Sequence, residues 1–204
     1  MLLLAHTGIP LGTIWLLHHA ARRAAFRRAT PLPQAAGNPH SHSEDKHQPL
    51  SRSAATLDYR LVLLGSMLPD IDKPLGIWLL RDSLGSGRAV GHTLLFAFLL
   101  VTAGLLLYAR GRTWHLLSLA LGSTFHLALD EMWLSPRTLF WPLYGWGFER
   151  TDVSHWLEML LTSLGTKPRV YVPEIIGALL LAAILWRMAG QGGWHSFLRI
   201  GKID

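Results

Sequence analysis

The chain has 204 residues, a length that fits one domain spanning residues 1–204. Half of the residues are hydrophobic, only 16% are charged and the mean hydropathy is +0.27, which is too apolar for an ordinary soluble domain. Because cysteine is absent, disulfides, thiolate catalysis and cysteine-ligated zinc are excluded. The net charge of +6 alone would be compatible with nucleic-acid binding, but the positions of the charges favour a membrane protein instead.

Five segments are predicted to be helices. In chain order they cover about Leu2–Ala20, Leu57–Leu68, Val90–Tyr108, Trp114–Leu134 and Pro173–Met188. The third and fifth are apolar on all sides, and a chain of this size cannot bury several such helices within protein alone. The first two fall short of the roughly 20 residues that cross a bilayer comfortably, so they either span it or lie at its interface. The sequence therefore predicts an all-α, multi-pass membrane bundle of about five helices.

Disorder is predicted for one stretch near the amino terminus, and cleavage is not expected at another. Residues 30–53 are rich in proline, serine, histidine and charge and lack apolar periodicity, so they are predicted to form a disordered loop within the single domain. The apolar start, Met1–Ala5, has no preceding basic region and no small-residue cleavage site after it. We therefore expect no cleavable signal peptide.

The charged residues separate into two groups if the five helices alternate across a membrane. Residues 21–60, 109–113 and 187–204 would share one side, with 12 Lys and Arg against 4 Asp and Glu, whereas the opposite side has 7 against 9. The positive-inside rule then places the basic side in the cytoplasm, with the amino terminus outside and the carboxyl terminus inside. The basic stretch Ala21–Arg28 is explained by its position beside the membrane, and no nucleic-acid partner is expected.

Six potential metal ligands fall at the outer ends of the predicted helices: His6, Asp70, Asp72, His92, His126 and Asp130. His126 and Asp130 are four residues apart and share one helix face. Asp70 and Asp72 follow Pro69 in a piece that we expect to be extended, which would point both carboxylates to one side. Each residue alone could cap a helix or make a polar contact between helices. Together they predict a site for one or two divalent ions, most simply zinc, with manganese or iron as alternatives.

The order of these pieces resembles the YdjM-type family of inner-membrane-associated, metal-dependent hydrolases. The similarity covers about residues 1–160, and the motifs that carry it are His6-Thr-Gly, Leu68-Pro-Asp-Ile-Asp72, Arg88 to Thr93, and His126-x-x-x-Asp130 followed by Trp141-Pro142. That family looks related to the zinc-dependent phospholipase C and P1 nuclease group. The resemblance implies a zinc-phospholipase-C-like site at one end of the bundle, in the cytoplasmic (inner) membrane. The chain departs from the family at Gly87, where a histidine is common, and at Lys73, where a histidine is frequent.

Roles are assigned to the candidate site residues as follows. The primary metal site consists of His92, His126 and Asp130, with Asp70 or Asp72 completing it or bridging to a second ion and with His6 joining the cluster. Asp72 is also the candidate general base, and Arg88 the candidate catalytic arginine that holds a phosphate. Glu158 falls where the family tends to carry an acidic residue and is a candidate ligand of a second ion. An ordinary surface pair with His155 is the alternative for Glu158.

The predicted function is metal-assisted hydrolysis of a phosphoester or phospholipid-like substrate, with membrane lipids as partners. The aromatic run Trp133–Phe148 either grips a lipid-like substrate or forms an ordinary interfacial belt. A second hypothesis is a non-catalytic binding or structural protein in which a metal with a closed coordination shell staples the helices together. A third is a cation transporter. A transporter would place its ionisable groups near the middle of the bilayer, whereas these groups cluster at one end.

Overall fold

The computed structural model describes residues 3–29, 57–111, 113–152 and 155–203, and within these ranges it contains helices and no strand. The prediction of an all-α protein is therefore confirmed. The predicted disordered loop at residues 30–53 lies outside the described residues.

Nine α-helices follow one another in the described part of the chain. They are α1 Leu3–Ala29, α2 Tyr59–Met67, α3 Asp72–Pro74, α4 Leu94–Gly111, α5 His115–Leu129, α6 Pro136–Leu139, α7 Trp156–Thr166, α8 Pro168–Gln191 and α9 Trp194–Ile200. Turns of 3₁₀-helix cover Pro69–Ile71, Val90–His92 and Met132–Leu134, and a π-helical turn covers Leu75–Leu79. The five predicted segments correspond to α1, α2, α4, α5 and α8.

The ends of three of these helices differ from the predicted ends. α1 continues nine residues past Ala20 because the basic stretch is made of alanine and arginine, both good helix formers. α5 stops at Leu129 because Glu131 adopts the left-handed conformation, with φ of 50°. α8 begins at Pro168, a proline in the first turn where it replaces no hydrogen bond, so Pro173 lies inside the helix and does not open it.

Two described helices, α4 and α8, are long and apolar enough to cross a membrane. Their most apolar 18-residue stretches have mean hydropathies of 1.9 and 1.7, and only 11% and 22% of the residues in them are buried. The core helix of a soluble protein would be mostly buried, so this exposed apolar surface suits contact with lipid. α5 is apolar but shorter.

The helices α1 and α8 run parallel and touch through glycine. Gly8 of α1 lies against Gly177 of α8, and one turn further along Gly12 lies against Leu180. A Cβ atom on Gly8 would stand only 1.9 Å from the carbonyl oxygen of Gly177, so the contact requires glycine. Small residues of this kind allow close backbone approach between helices in membranes.

The helices α2 and α5 form a second parallel pair. Gly65 faces Leu119, and Gly122 faces Val62, with an added Cβ on either glycine about 2 Å from a carbonyl oxygen of the other helix. α1 runs antiparallel to α2, since His18 in the second half of α1 contacts Tyr59 at the start of α2. α4 runs antiparallel to α5. This arrangement brings the start of α1, the end of α2, the start of α4 and the end of α5 to one end of the bundle.

Candidate metal centre

The two aspartates after α2 reach the site from a helical turn. The expected extended piece was wrong, because Pro69 opens a 3₁₀ turn, Pro69–Ile71, and α3 follows directly from Asp72. Proline fits this first position because its φ is already helical and its missing N–H is not needed there. Asp70 and Asp72 nevertheless contact the same imidazole, that of His92, one at each ring nitrogen.

Four side chains direct one atom each at a common centre. Nε2 of His126 lies 3.3 Å from Nε2 of His92 and 3.3 Å from Oδ1 of Asp70. Nε2 of His92 lies 3.9 Å from the same Asp70 oxygen and 3.8 Å from Oδ2 of Asp130, and His126 Nε2 is 4.0 Å from that oxygen. Four ligands held tetrahedrally about 2.0–2.1 Å from zinc stand about 3.4 Å from one another. The two distances of 3.3 Å from His126 Nε2 match this spacing, whereas the other three, 3.8–4.0 Å, are about 0.4–0.6 Å longer.

The other nitrogen of each of these two histidines already has an acceptor. Nδ1 of His126 lies 2.6 Å from the carbonyl oxygen of Ser66, and Nδ1 of His92 lies 2.9 Å from Oδ2 of Asp72. Because a carbonyl and a carboxylate only accept, both Nδ1 atoms carry hydrogen and donate it. The neutral rings then present lone pairs at Nε2, which face each other 3.3 Å apart. Two lone pairs at that distance repel each other unless a proton or a metal ion lies between them, and metal-bound histidines have this arrangement of outer partners.

The surroundings of the centre favour a cation as well. His92 and His126 are fully buried, and the side chains of Asp70 and Asp130 are 18% and 2% exposed. The Asp70 carboxyl forms an ion pair with Lys73, whose Nζ lies 2.6 Å from its Oδ1, and this pairing favours the carboxylate form. Asp70 is therefore an anionic ligand at neutral pH.

His6 supports the cluster from α1. Its imidazole stacks on that of His126, with ring centroids 4.0 Å apart, and its Nε2 lies 3.0 Å from Oδ1 of Asp130. Ligand atoms of His6, His126 and Asp130 form a second group in which an ion could be held, next to the group of Asp70, His92 and His126. The two groups share His126. The prediction that histidines and aspartates from separate helices could bind a metal ion is confirmed at this level, while the metal's identity stays a prediction.

Two basic side chains border the centre. Nη2 of Arg88 lies 3.3 Å from Oδ2 of Asp130, and Nζ of Lys73 lies 2.6 Å from Oδ1 of Asp70. Both side chains are partly open to solvent, with exposed fractions of 44% and 45%. They can therefore touch both the ligands and a molecule that approaches from outside. Arg88 was predicted as a site residue from the sequence, whereas Lys73 was noticed only as a departure from the family pattern.

Glu158 is the one predicted ligand that lies apart from this cluster. It is near the start of α7, its side chain is 80% exposed, and Nδ1 of His155 lies 3.7 Å from its Oε2. The structure brings the other six predicted ligands together. A role for Glu158 at a second ion stays a prediction.

Sequence reasoning missed three groups that position the ligands. The Ser66 carbonyl and the Ala89 N–H, which donates to Asp72 at 2.8 Å, are backbone groups, so no residue pattern signals them. Glu174 of α8 is buried and accepts hydrogen bonds from the N–H groups of Leu4 and Ala5, at 3.0 and 3.2 Å. These two residues directly precede His6 in the first turn of α1. A carboxylate at the start of a helix is electrostatically favourable. Its signal in the sequence was an acidic residue at the head of an apolar helix.

The fold and the site together define a helical membrane protein with a candidate metal centre at one end of its bundle. The sequence profile of the YdjM inner membrane protein family matches residues 34–194, which is most of the chain. The chain therefore belongs to the YdjM inner membrane protein family. The match includes the aspartates after α2, His92 in the turn before α4 and His126 of α5. It begins after His6 and extends beyond the predicted limit of about residue 160.

No curated protein and no solved structure matches the chain. The relation to zinc-dependent phospholipase C and P1 nuclease stays a prediction. The family and the two apolar helices are consistent with an inner-membrane location.

Proposed function

We propose that this protein is a membrane-embedded, metal-dependent hydrolase that acts on a phosphoester, such as that of a phospholipid-like substrate. One observation carries the proposal: the facing Nε2 atoms of His92 and His126, 3.3 Å apart, with both Nδ1 hydrogens already donated elsewhere. Asp70 completes a group of candidate ligands with these two histidines, and Asp130 belongs to the neighbouring group with His6 and His126. A divalent ion would satisfy the two imidazoles and the Asp70 carboxylate at once.

The donor set suits zinc. Imidazole nitrogens and carboxylate oxygens are ligands that zinc accepts, while calcium and magnesium prefer six or more oxygens. Manganese and iron accept the same donors and are the alternatives. A divalent ion held there supplies Lewis acidity, which lowers the pKa of coordinated water and polarises a phosphoryl oxygen.

The residues at the edge of the centre favour an anionic substrate. Arg88 presents a guanidinium group that can donate two parallel hydrogen bonds to phosphate oxygens, and Lys73 adds a second positive charge. In hydrolysis, the water oxygen forms a bond to phosphorus, the ester P–O bond breaks, and a proton passes to the departing oxygen. Both cations would stabilise the negative charge that develops on the phosphoryl oxygens.

The contacts of Asp72 favour a role in positioning. Its Oδ2 accepts hydrogen bonds from His92 Nδ1 at 2.9 Å and from the Ala89 N–H at 2.8 Å, on the side of the imidazole away from the centre. In our proposal Asp72 fixes the ring orientation and the tautomer of His92. The role of general base, which the sequence analysis gave to Asp72, would then belong to a group on the Nε2 side of His92, where the metal centre lies.

We also propose five membrane crossings with the metal centre on the extracytoplasmic face. The alternating directions of α1, α2, α4, α5 and α8 support this topology, as does the excess of Lys and Arg at the opposite end of the bundle. α2 has only nine residues, so its crossing would be completed by the turns that follow it.

The proposal is tested by metal analysis followed by an activity assay on full-length protein purified in detergent. Metal content is measured in the wild type, His126→Ala, Asp130→Ala and the matched control His115→Ala, which removes an exposed histidine at the opposite end of α5. We expect bound metal in the wild type and the control and its loss in the other two. Metal-loaded wild type should hydrolyse a chromogenic phosphodiester or phospholipid micelles. Equal metal content in all four proteins, or no hydrolysis above the His126→Ala background, would overturn the proposal.

One observation favours a second candidate, a metal that only staples the helices. The cluster offers enough histidine and aspartate side chains to fill all four positions around one zinc ion, and a shell without a water position is typical of a structural zinc site. In that case metal removal would lower the thermal unfolding temperature, and the loaded protein would hydrolyse none of the phosphoesters. A hydrolase needs one coordination position on the metal for water. Such a position would become available if one carboxylate left the metal, or if the ion were held by the second group, His6, His126 and Asp130.

A further inference from the structure

Lys73 places its ammonium group on a carboxylate of the metal centre. Its Nζ lies 2.6 Å from Oδ1 of Asp70, the same oxygen that Nε2 of His126 faces at 3.3 Å and Nε2 of His92 at 3.9 Å. We propose that Lys73 competes with the divalent ion for this oxygen, and that Lys73 is released to hold the phosphate of the substrate once an ion is bound. This inference rests on the proposed function and adds to it a binding order, in which the metal precedes the substrate.

The position of Lys73 follows from the helical backbone that begins at Pro69. The 3₁₀ turn that Pro69 opens runs directly into α3, so Lys73 stands three residues beyond Asp70 on the same side of the chain. The lysine side chain passes Gly87, where an added Cβ would lie 3.6 Å from Cγ of Lys73, so glycine leaves that flank of the lysine uncovered. The ion pair is therefore built by local structure, and its lysine keeps room to move.

The contact between Lys73 and Asp70 is short but incomplete. Oδ1 of Asp70 is buried and, in the part of the chain that the structure describes, has no partner with hydrogen-bond geometry, so the contact is an ion pair only. The same oxygen faces the lone pairs at Nε2 of the two histidines, and these negative groups repel unless a positive charge stands beside them. Lys73 supplies that charge, but imidazole and carboxylate together are ligands that a divalent metal ion satisfies more completely.

Two cations on Oδ1 of Asp70 would repel each other strongly. The Asp70 side chain is only 18% exposed and both histidines are fully buried, so little water screens the repulsion. Lys73 can relieve it, because its side chain is 45% exposed and its four-carbon stem is flexible. An ammonium group that has left Asp70 joins the partly exposed guanidinium of Arg88 at the solvent-facing edge of the centre.

This exchange predicts that metal and substrate bind cooperatively. Without an ion, the charge of Lys73 is neutralised by Asp70, and the Asp70 carboxylate repels a phosphate. With an ion on Asp70, the carboxylate is neutralised and the Lys73 ammonium can donate hydrogen bonds to phosphate oxygens. The coupling is reciprocal, so phosphate also strengthens metal binding.

The direction of the effect separates competition from simple support of the carboxylate. If Lys73 only stabilised the ionised form of Asp70, its removal would leave metal binding unchanged or weaken it. If Lys73 competes for Oδ1, its removal strengthens metal binding while it weakens phosphate binding to the loaded protein. No general loss of structure produces these two opposite changes together.

The test uses full-length protein purified in detergent and stripped of metal with a chelator. Zinc affinity is measured by competition with a chromogenic chelator, and the affinity for inorganic phosphate by isothermal titration calorimetry, with and without bound zinc. The variants are Lys73→Met, which removes the charge, and Lys73→Arg, which keeps it. Arg81→Met is the matched control, because Arg81 is an exposed cation eight residues further along the chain. Circular dichroism monitors helix content in all proteins.

We expect Lys73→Met to bind zinc at least about threefold more tightly than the wild type, since the cost of breaking a partly exposed ion pair is removed. Zinc-loaded Lys73→Met should bind phosphate at least about threefold more weakly than the zinc-loaded wild type. Lys73→Arg and Arg81→Met should stay within about twofold of the wild type in zinc affinity.

Four results would overturn the inference: zinc affinity of Lys73→Met that is unchanged or weaker, an equal gain in Arg81→Met, phosphate binding to the loaded protein that does not depend on Lys73, or phosphate affinity of the wild type that does not rise with zinc. The last is measured on the wild type, so it decides even where Lys73→Met is unfolded. Zinc binding by the wild type without a gain in Lys73→Met contradicts this inference alone. Absence of zinc binding in both proteins contradicts the proposed function as well.

Discussion

Replacing Asp72 by asparagine should weaken metal binding without removing a ligand. The Asp72 carboxylate accepts two hydrogen bonds through Oδ2, from His92 Nδ1 at 2.9 Å and from the Ala89 N–H at 2.8 Å. Asparagine has nearly the same shape and can still accept both through its carbonyl oxygen. What is lost is the negative charge, which makes His92 a stronger donor to the metal and holds its Nδ1 hydrogen in place.

The size of this effect follows from the position of Asp72 behind a ligand. Loss of such an outer partner reduces metal affinity by about 10-fold to 100-fold, which corresponds to about 1.4–2.7 kcal/mol. Loss of His126 itself removes a fully buried ligand and should reduce affinity much further. The order of affinities is therefore expected to be wild type, then Asp72→Asn, then His126→Ala.

The measurement is a competition titration of zinc between the purified protein and a chromogenic chelator. Asp82→Asn is the matched control, because Asp82 is an exposed aspartate in the same loop region. The control should bind zinc as the wild type does. An affinity of Asp72→Asn within about twofold of the wild type would refute the positioning role, since an outer carboxylate contributes more than that. An affinity as low as that of His126→Ala would instead make Asp72 a ligand.

Three further predictions concern packing, topology and pH. Gly177→Ala should lower the thermal unfolding temperature and the free energy of unfolding, the latter by about 1–3 kcal/mol, because the added Cβ would lie 2.2 Å from the Leu4 carbonyl oxygen. The control Gly190→Ala, in the same helix, meets nothing within 4 Å and should be neutral or stabilising. A cysteine in place of Asp82 should react with an impermeant thiol reagent in intact cells, and labelling only after lysis would contradict an extracytoplasmic metal centre. Burial raises the pKa of Asp58, but the hydrogen bonds and charge of Arg60 lower it overall. The wild type should therefore be more stable than Asp58→Asn above about pH 4, and this difference should shrink as the pH falls below that value. A difference in unfolding temperature that does not change with pH would contradict this prediction.

The sequence indicated which residues lie together in the candidate site better than it indicated the backbone geometry that positions them. The four-residue spacing of His126 and Asp130 predicted that their side chains lie on the same side, and Asp130, the residue that follows the last turn of α5, has its Oδ2 4.0 Å from His126 Nε2. The spacing of Asp70 and Asp72 led to a wrong prediction of their geometry, because an extended backbone was assumed, whereas Pro69 starts a helical turn. The two carboxylates consequently have different partners on His92, at Nε2 and at Nδ1.

The remaining features depend on how helices pack, which no local pattern encodes. The acceptor for His126 Nδ1 is the carbonyl of Ser66, and it is in reach because Gly65 and Gly122 let α2 and α5 approach closely. The basic stretch after Ala20 was assigned to the membrane surface, but its continuation as part of helix α1 required the structure. Glu174 was not singled out because its partners, two backbone N–H groups, lie about 170 residues earlier in the chain.

The ligands of the metal centre come from four segments that are far apart in the chain, and this dictates when the centre can form during synthesis. His6 emerges first, but its partner Asp130 follows 124 residues later, after three further ligands. No ion can be held in the full shell until α5 has been inserted beside α2 and α4. A metal ion could therefore be loaded in full only onto a chain whose first four principal helices have already docked, and a bound ion would then oppose their separation.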